Sequence, residues 1–316
     1  MQSENTVTLS VIIPISERYD DLRKLYLHYT EVLAVSNYSF ELIFVLDGVN
    51  VAALEILKEL KSEFPQLKVI TTNRRVGETT ALAIGFEHAQ GSTILTLAPY
   101  LQVEPDEISR MLREFSERGY DLVISRRKPR IGSIFNRLQS WVFHRFTRML
   151  TGLHYHDIGC RLRVMRREVT EEVRLYGDLH QFLPFLAYQR GFRVAEVPVR
   201  QSEAGQRQKA APLGICLKRL LDLLTLFFLF KFTKRPLRFF GLLSSGLFGA
   251  GGLIATVSVL LQLLGHGTPA GRPFLTTGVL LIVLSVQLFS IGLLGEIIVF
   301  TQARKIKDYT VSKILE

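Results

Sequence analysis

Charged and polar side chains cluster directly after five short apolar segments in the first half of the chain. The clusters occupy residues 14–18, 47–50, 73–78, 98–105 and 126–130. Acids in these clusters could hold a base or a ribose, and arginines could hold phosphates through forked hydrogen bonds. The clusters together suit a nucleotide-diphosphate ligand, although any one of them alone is more typical of a solvated turn.

The apolar segments have the length and the β-branched composition of strands that are buried on both faces. Strands are predicted at residues 8–14, 40–46, 67–72, 92–97 and 120–125, and helices between them at 20–33, 51–64, 77–89 and 105–119. A further helix is predicted at 182–188 and a strand at 192–199. This alternation predicts an α/β fold with a mostly parallel sheet and helices on both faces. Because ligands bind at the carboxyl ends of such strands, the charged clusters should share one edge.

Two long apolar segments, residues 237–264 and 274–300, follow this region. Each is long enough to cross roughly 30 Å of hydrocarbon as a helix. The short connection between them is rich in Gly and Pro, which favours a turn. Lys and Arg crowd the outer ends of the pair, so the positive-inside bias places both ends in the cytoplasm. The alternative is a helical hairpin buried in a soluble core.

Composition excludes several other protein classes. Much of the net charge of +10 lies beside the apolar segments, where anionic lipid would attract it, and no nucleic-acid-binding module accompanies it. Two cysteines provide neither a disulfide framework nor a metal cluster. The polar N-terminus lacks the pattern of a signal peptide, so the first domain is expected to stay in the cytoplasm.

These patterns predict four regions. Residues 1–212 form a cytoplasmic domain, 213–236 an amphipathic interfacial helix and linker, 237–300 the two spans, and 301–316 a cytoplasmic tail. A third span is the alternative for the interfacial helix. An amphipathic segment at 133–150 fits either the membrane interface or packing on the sheet.

Four stretches carry a resemblance to a known family: SVIIP at 10–14, ELIFVLDG at 41–48, NRRVGETTALAIGFEHAQGSTILTL at 73–97 and LQVEPDEI at 101–108. The chain resembles the family 2 glycosyltransferases of the GT-A (Rossmann-like) fold. With its two spans it is similar to the polyprenyl-phosphate glycosyltransferases, which include dolichol-phosphate mannose synthases. The resemblance implies a multi-pass protein of the inner (plasma) membrane whose cytoplasmic domain passes a sugar from a nucleotide-diphosphate sugar to a polyprenyl phosphate.

The resemblance also implies roles for single residues. Asp157, in the stretch HDIGCRL, matches an acid placed near the acceptor phosphate and proposed as a base; the alternative is that it caps a turn or pairs with Arg161 or Arg163. The positions matched to nucleotide-sugar binding are Pro14, Glu17, Asp47, Arg75 and Gln102. The candidates for phosphate binding are Arg126, Arg127 and Arg130.

The sequence departs from the family where a metal is usually bound. The family's Asp-x-Asp-Leu-Gln, whose acids hold Mg²⁺ or Mn²⁺, reads Ala-Pro-Tyr-Leu-Gln at 98–102. No metal ligand is therefore assigned, because hard cations need oxygen ligands that are usually carboxylates. Three hypotheses follow: a transferase in which arginines replace the metal, a transferase that holds a metal through Asp47 and Glu104, or a catalytically inactive scaffold.

The identities of the sugar, the nucleotide and the polyprenol do not follow from the sequence. Small residues in the first span allow close helix contact, either within a homo-oligomer or with the second span of the same chain.

Overall fold

The computed structural model describes residues 7–16, 18–36, 38–64, 66–128, 155–173, 175, 177, 179–202, 236–264 and 271–302. These residues fall into two compact units, an α/β domain and a pair of long helices. Glu17, Arg130, the amphipathic segment at 133–150, the interfacial helix and most of the C-terminal tail lie outside the described residues.

One seven-stranded sheet forms the centre of the α/β domain, with strand order β3-β2-β1-β4-β6-β5-β7. The strands are β1 (Leu9–Ile15), β2 (Phe40–Leu46), β3 (Leu67–Thr71), β4 (Thr93–Thr96), β5 (Leu122–Arg127), β6 (Arg163–Arg166) and β7 (Val194–Val199). β1 pairs in parallel with β2 on one side and β4 on the other. Chain order therefore reverses across β1 and β4, which is where ligands bind in open α/β sheets.

Only β6 among the described strands runs antiparallel to its neighbours, β4 and β5. The mostly parallel sheet is thus confirmed, but the sequence analysis did not find β6. Its sequence, RVMR, is four residues long and begins and ends with arginine, so it lacks the apolar run that marks the other strands. Its effect is to bring residues 157–163 to the carboxyl ends of β4 and β5.

Helices cover both faces of the sheet, as predicted. The described helices of this unit are α1 (Leu22–Ala34), α2 (Val51–Glu63), α3 (Glu78–His88), α4 (Asp106–Arg118), α5 (Arg167–Glu172) and α6 (Leu183–Gln189). The first apolar cluster joins α1, α2 and α4 to one face, and the second joins α3, α5 and α6 to the other. α3 lies close to the sheet because Gly85 has no side chain; a Cβ there would come within 2.5 Å of Ile12.

The second unit consists of α7 (Pro236–Leu263) and α8 (Gly271–Gln302), both long and apolar enough to cross a membrane. The two helices pack on each other where Gly251 faces Gly278, since a Cβ on Gly278 would lie 2.9 Å from the Gly251 carbonyl oxygen. At the start of α7 the Leu237 amide donates to the Glu296 carboxylate at 3.2 Å. Gly251, one of the small residues of the first span, therefore packs against the second span of the same chain.

Candidate active site

Asp47 follows β2 and fixes the turn that leads into α3. Its two carboxylate oxygens accept hydrogen bonds from the amides of Val76 (2.6 Å) and Gly77 (3.1 Å). The turn also requires glycine beside Asp47: Gly48 has φ of 85°, and a Cβ there would meet the Arg75 side chain at 2.8 Å. Asp47 thus positions the exposed arginine-containing loop at the carboxyl end of β3.

Glu78 and Arg161 form a forked ion pair at the N-terminus of α3. The Arg161 Nε and Nη2 groups each donate to one oxygen of the Glu78 carboxylate. His180 lies 3.8 Å from the same carboxylate through Nε2, and its Nδ1 is 2.7 Å from the Thr79 hydroxyl. Burial raises the pKa of Glu78, but the charges of Arg161 and His180 outweigh it, so the pKa is lowered and Glu78 stays ionised.

Tyr100 is the residue that the sequence analysis matched to the second acid of the metal motif. The Tyr100 ring is buried, and two guanidinium groups flank it: Arg18 lies 4.3 Å and Arg161 lies 5.7 Å from the ring centroid. The Arg161 Nη1 group donates to the Tyr100 hydroxyl at 3.1 Å. The Tyr100 phenol therefore lies within contact distance of two guanidinium groups.

Gln102 is buried and holds the segment that follows Asp157. Its amide oxygen accepts from the Arg161 main-chain amide at 2.8 Å, and its amide nitrogen donates to the Gly159 carbonyl at 3.3 Å. Gln102 therefore sets the position of the Arg161 backbone. In this structure the amide oxygen and the amide nitrogen of Gln102 are both hydrogen-bonded to other parts of the protein.

Asp157 forms a buried ion pair with Arg127 at the end of β5. The Arg127 Nε donates to one carboxylate oxygen at 2.6 Å and Nη2 donates to the other at 2.8 Å, and the Arg127 amide adds a bond of 3.2 Å. The exposed fractions of the two side chains are 2% and 4%. The partner of Asp157 in the described residues is thus Arg127, whereas the sequence alternative had named Arg161 or Arg163.

Glu196 on β7 supports the same turn from the other side. Its carboxylate accepts from the amides of His156 (2.7 Å) and Asp157 (3.1 Å) and also lies 2.7 Å from the His156 Nδ1. The Asp157 backbone is consequently fixed by β7 while its side chain is fixed by β5.

A small cleft opens at the carboxyl ends of β1 and β4. Its lining consists of Pro14, Glu78, Leu82, Thr96, Leu97, Arg161, Arg163 and His180. Arg163 is 4% exposed and donates to the carbonyl oxygens of Cys160, Ile158 and His180. Burial lowers the pKa of Arg163 to about 10, so this guanidinium remains charged at neutral pH.

The residues present do not fit the divalent cation that the family resemblance implies. No group of three or more His, Cys, Asp and Glu within the described part of the chain could hold a metal ion. Asp47 binds two amides, Glu78 binds Arg161, and Asp157 binds Arg127. The two positions that the sequence analysis matched to metal-binding acids are Ala98 and Tyr100, and neither side chain offers a carboxylate.

The sheet edge therefore holds several of the residues named from the sequence. Asp47, Arg75 and Gln102 follow the carboxyl ends of β2, β3 and β4, Arg127 is the last residue of β5, and Asp157 pairs with it. Pro14 lines the cleft. Arg126 is half-buried and is the penultimate residue of β5. Sequence analysis missed the contributions of Glu78, Arg161, Arg163, His180 and Glu196; the signal for two of them was the run RLRVMRR, where arginines interrupt an otherwise apolar pattern.

Comparison with known proteins agrees with this architecture. Residues 10–174 match the sequence model of glycosyl transferase family 2. The chain is 30% identical to dodecaprenyl-phosphate galacturonate synthase of Rhizobium johnstonii over 95% of this chain and 90% of that protein. It is 28% identical to undecaprenyl-phosphate 4-deoxy-4-formamido-L-arabinose transferase of Aeromonas hydrophila subsp. hydrophila, over 100% of this chain and 96% of that protein.

A solved structure shows the same fold. Glucosyl-3-phosphoglycerate synthase from Mycobacterium tuberculosis, in complex with Mn²⁺ and uridine-diphosphate-glucose, superposes with a TM-score of 0.51 at 13% identity, covering 70% of this chain and 79% of that chain. The likeness confirms the GT-A-like arrangement of the α/β domain. With the family match over more than half of its length, the chain belongs to glycosyl transferase family 2.

Proposed function

We propose that the protein transfers a sugar from a nucleotide-diphosphate sugar to a polyprenyl phosphate at the cytoplasmic face of the inner membrane. The observation that carries this proposal is the alignment with the Rhizobium johnstonii synthase, which extends over 95% of the chain and so takes in both apolar helices. That relative is named for a polyprenyl phosphate, and the Aeromonas relative is named for undecaprenyl phosphate. In this proposal α7 and α8 span the membrane and both chain ends lie in the cytoplasm.

The proposed reaction is a displacement at the anomeric carbon of the donor sugar. An oxygen of the acceptor phosphate attacks that carbon, the bond from the carbon to the donor diphosphate breaks, and the nucleoside diphosphate leaves with the bonding electrons. The acceptor phosphate is already ionised near pH 7, so no proton has to be removed from the attacking oxygen. The protein therefore has to position two anionic groups and to stabilise the charge on the leaving diphosphate.

Asp157 is proposed to position the acceptor rather than to take a proton. Its carboxylate fixes the Arg127 guanidinium at the end of β5, and Glu196 fixes its backbone. Within the Arg127 guanidinium, Nε and Nη2 are the nitrogens that donate to Asp157, so the Nη1 group faces away from the carboxylate. In this proposal Arg126, Arg127 and Arg130 supply positive charge for phosphate groups.

For the donor, Pro14, Glu17, Asp47, Arg75 and Gln102 remain the proposed contact region. Asp47 and Gln102 contribute by shaping loops, because each uses its side-chain oxygens on main-chain amides. Arg75 is exposed beside Gly48 and is the positively charged residue of this set, so it is proposed to bind a phosphate group.

The test is a transfer assay on the full chain purified in detergent. A panel of UDP- and GDP-sugars is incubated with undecaprenyl phosphate, and the glycolipid product is measured by mass spectrometry. Undecaprenol, which lacks the phosphate, is the matched control and is expected to give no product. Failure of every donor to yield product, with and without Mg²⁺ or Mn²⁺, would contradict the proposal and support a non-catalytic scaffold.

A further inference from the structure

We propose that Arg18 and Arg161 bind the diphosphate of the donor across Tyr100, and that they do so in place of a divalent cation. The proposal rests on the proposed function, since it presupposes a nucleotide-diphosphate donor. It assigns to the donor site two arginines that lie outside the sets inferred from the sequence. The observation behind it is that the guanidinium groups of Arg18 and Arg161 both lie against the ring of Tyr100, at a position that the family resemblance matches to a metal-binding acid.

Arg161 keeps hydrogen-bonding capacity while it is held in place. A guanidinium group has five N–H donors. The bonds in the described residues use three of them, two on Glu78 and one on the Tyr100 hydroxyl. Two N–H groups on the terminal nitrogens are left for phosphate oxygens, in the forked geometry that suits a diphosphate.

The neighbours of Arg161 fix its orientation before any ligand binds. Glu78 stays ionised because nearby positive charges lower its pKa, so the forked pair persists at neutral pH. Gln102 holds the Arg161 main chain, and Tyr100 holds its Nη1 group. A guanidinium held this way loses little further side-chain freedom on binding, which favours affinity.

The charge of the adjacent cleft favours an anion. Glu78 balances Arg161, but no carboxylate pairs with Arg163 within the described residues. Glu78 and Asp157 attract Arg163 from a distance, but they also pair with Arg161 and Arg127, so these two carboxylates face three guanidinium groups. A diphosphate near the cleft would supply the missing negative charge, whereas a divalent cation would add to the excess.

The proposal is tested by calorimetric binding of UDP, GDP and inorganic pyrophosphate to the full chain in detergent, with EDTA or with Mn²⁺. Wild-type protein is expected to bind one of the nucleotides equally well in both conditions. The double variant E78Q/R161Q removes both charges of the pair, so that neither is left alone in the site. Its binding is expected to be about 10- to 100-fold weaker, the loss of one or two charge-assisted hydrogen bonds.

Three further variants make the result specific to the arginines. E78Q alone keeps the Arg161 charge but removes the ion pair that orients it, so its binding is expected to lie between that of wild type and that of E78Q/R161Q. R18Q is expected to bind at least tenfold more weakly. R23Q/E63Q removes an exposed ion pair of α1 and α2 and is expected to leave binding unchanged.

Each result bears on one proposal. Loss of wild-type binding in EDTA would mean that a metal is held, which overturns the arginine inference and leaves the proposed transferase intact. Metal-independent binding that neither R18Q nor E78Q/R161Q weakens also overturns it. If E78Q/R161Q does not fold, the binding measurement on R18Q tests the arginine inference by itself. Absence of nucleotide binding in every condition, with no glycolipid product, would contradict the proposed function itself.

Discussion

The buried pair of Asp157 and Arg127 leads to the most demanding prediction. Replacing Asp157 with Asn keeps the size of the side chain but places an amide group against the Arg127 guanidinium, which is almost fully buried. Removing one partner of a buried ion pair costs about 3–5 kcal/mol. Asn keeps one acceptor oxygen and can keep the hydrogen bond from the Arg127 main-chain amide. We therefore expect a loss of unfolding free energy at the lower end of this range, about 3 kcal/mol.

The expected loss is measurable as a melting temperature of the full chain in detergent. For a domain of this size, 1 kcal/mol corresponds to about 2–4 °C, so D157N should melt about 6–12 °C below wild type. R127Q should lose at least as much, because it leaves the carboxylate without its forked partner. The double variant R127M/D157L replaces both charges with apolar side chains, and it should lose much less than the sum of the two single changes.

The control is the exposed pair of Arg23 and Glu63, whose bonds of 2.9 and 2.7 Å are as well formed. Their side chains are 50% and 43% exposed, so R23Q/E63Q should change stability by no more than about 1 kcal/mol. A loss in R127M/D157L as large as the D157N and R127Q losses added together, or a D157N protein that melts with wild type, would refute the reasoning. Wild-type transfer per folded D157N molecule would remove Asp157 from the mechanism.

Three further predictions concern the rest of the structure. G278L should disrupt the packing of α7 on α8, because a Cβ there would lie 2.9 Å from the Gly251 carbonyl; its matched control, G252L, meets no described atom within 4 Å and should behave as wild type, and the melting temperature in detergent distinguishes them. Burial raises the pKa of Glu41, but hydrogen bonds from Lys68, Ser10 and the Gln90 amide outweigh burial, so the pKa in the folded protein is lowered. The ionised Glu41 therefore stabilises the fold above its unfolded pKa of roughly 4.3, and this stabilisation is lost as the pH falls through the lower folded value. E41Q should therefore show a smaller loss of melting temperature than wild type between pH 5 and pH 3, and equal losses would contradict the linkage. E196Q should lower kcat more than it weakens donor binding, because Glu196 holds the turn that carries Asp157; unchanged kcat in the transfer assay would show that this support is dispensable.

The sequence predicted most of the sheet and its helices because each central strand is an apolar run bounded by Gly, Asp or Pro. The first five strands and first four helices lie within about two residues of their predicted limits. β6 was missed because half of its residues are arginines. A strand that pairs with two central strands can be this short and charged, since the neighbouring strands supply the hydrogen bonds and one arginine points to buried carbonyl oxygens.

The candidate site was predictable in its location but not in its pairings. The rule that ligands bind at carboxyl ends of strands identified the loops that contain Asp47 and Gln102, whereas Asp157 was named from the family resemblance. It could not reveal that Asp157 would pair with Arg127, because the two residues are 30 positions apart and meet only through the sheet. Gln102 illustrates the same limit: its place beside the degenerate metal motif suggested the donor, and only the fold shows its bonds to residues 159–161.

The absence of the two usual acids and the presence of Arg161 are physically connected. Two carboxylates and a divalent cation have no net charge, and neither has the Glu78–Arg161 pair. If one acid had remained at position 100, Arg161 would contact a second carboxylate in place of the Tyr100 hydroxyl. A second carboxylate beside Arg161 would offset part of the positive charge of the site and would weaken its attraction for a diphosphate. A phenol accepts the same hydrogen bond without a charge, so Arg161 stays fixed while its remaining N–H groups stay attractive to phosphate. Replacing both acids therefore suits a site that binds its donor through arginines. Replacing only one acid would weaken metal binding and would also weaken diphosphate binding by Arg161.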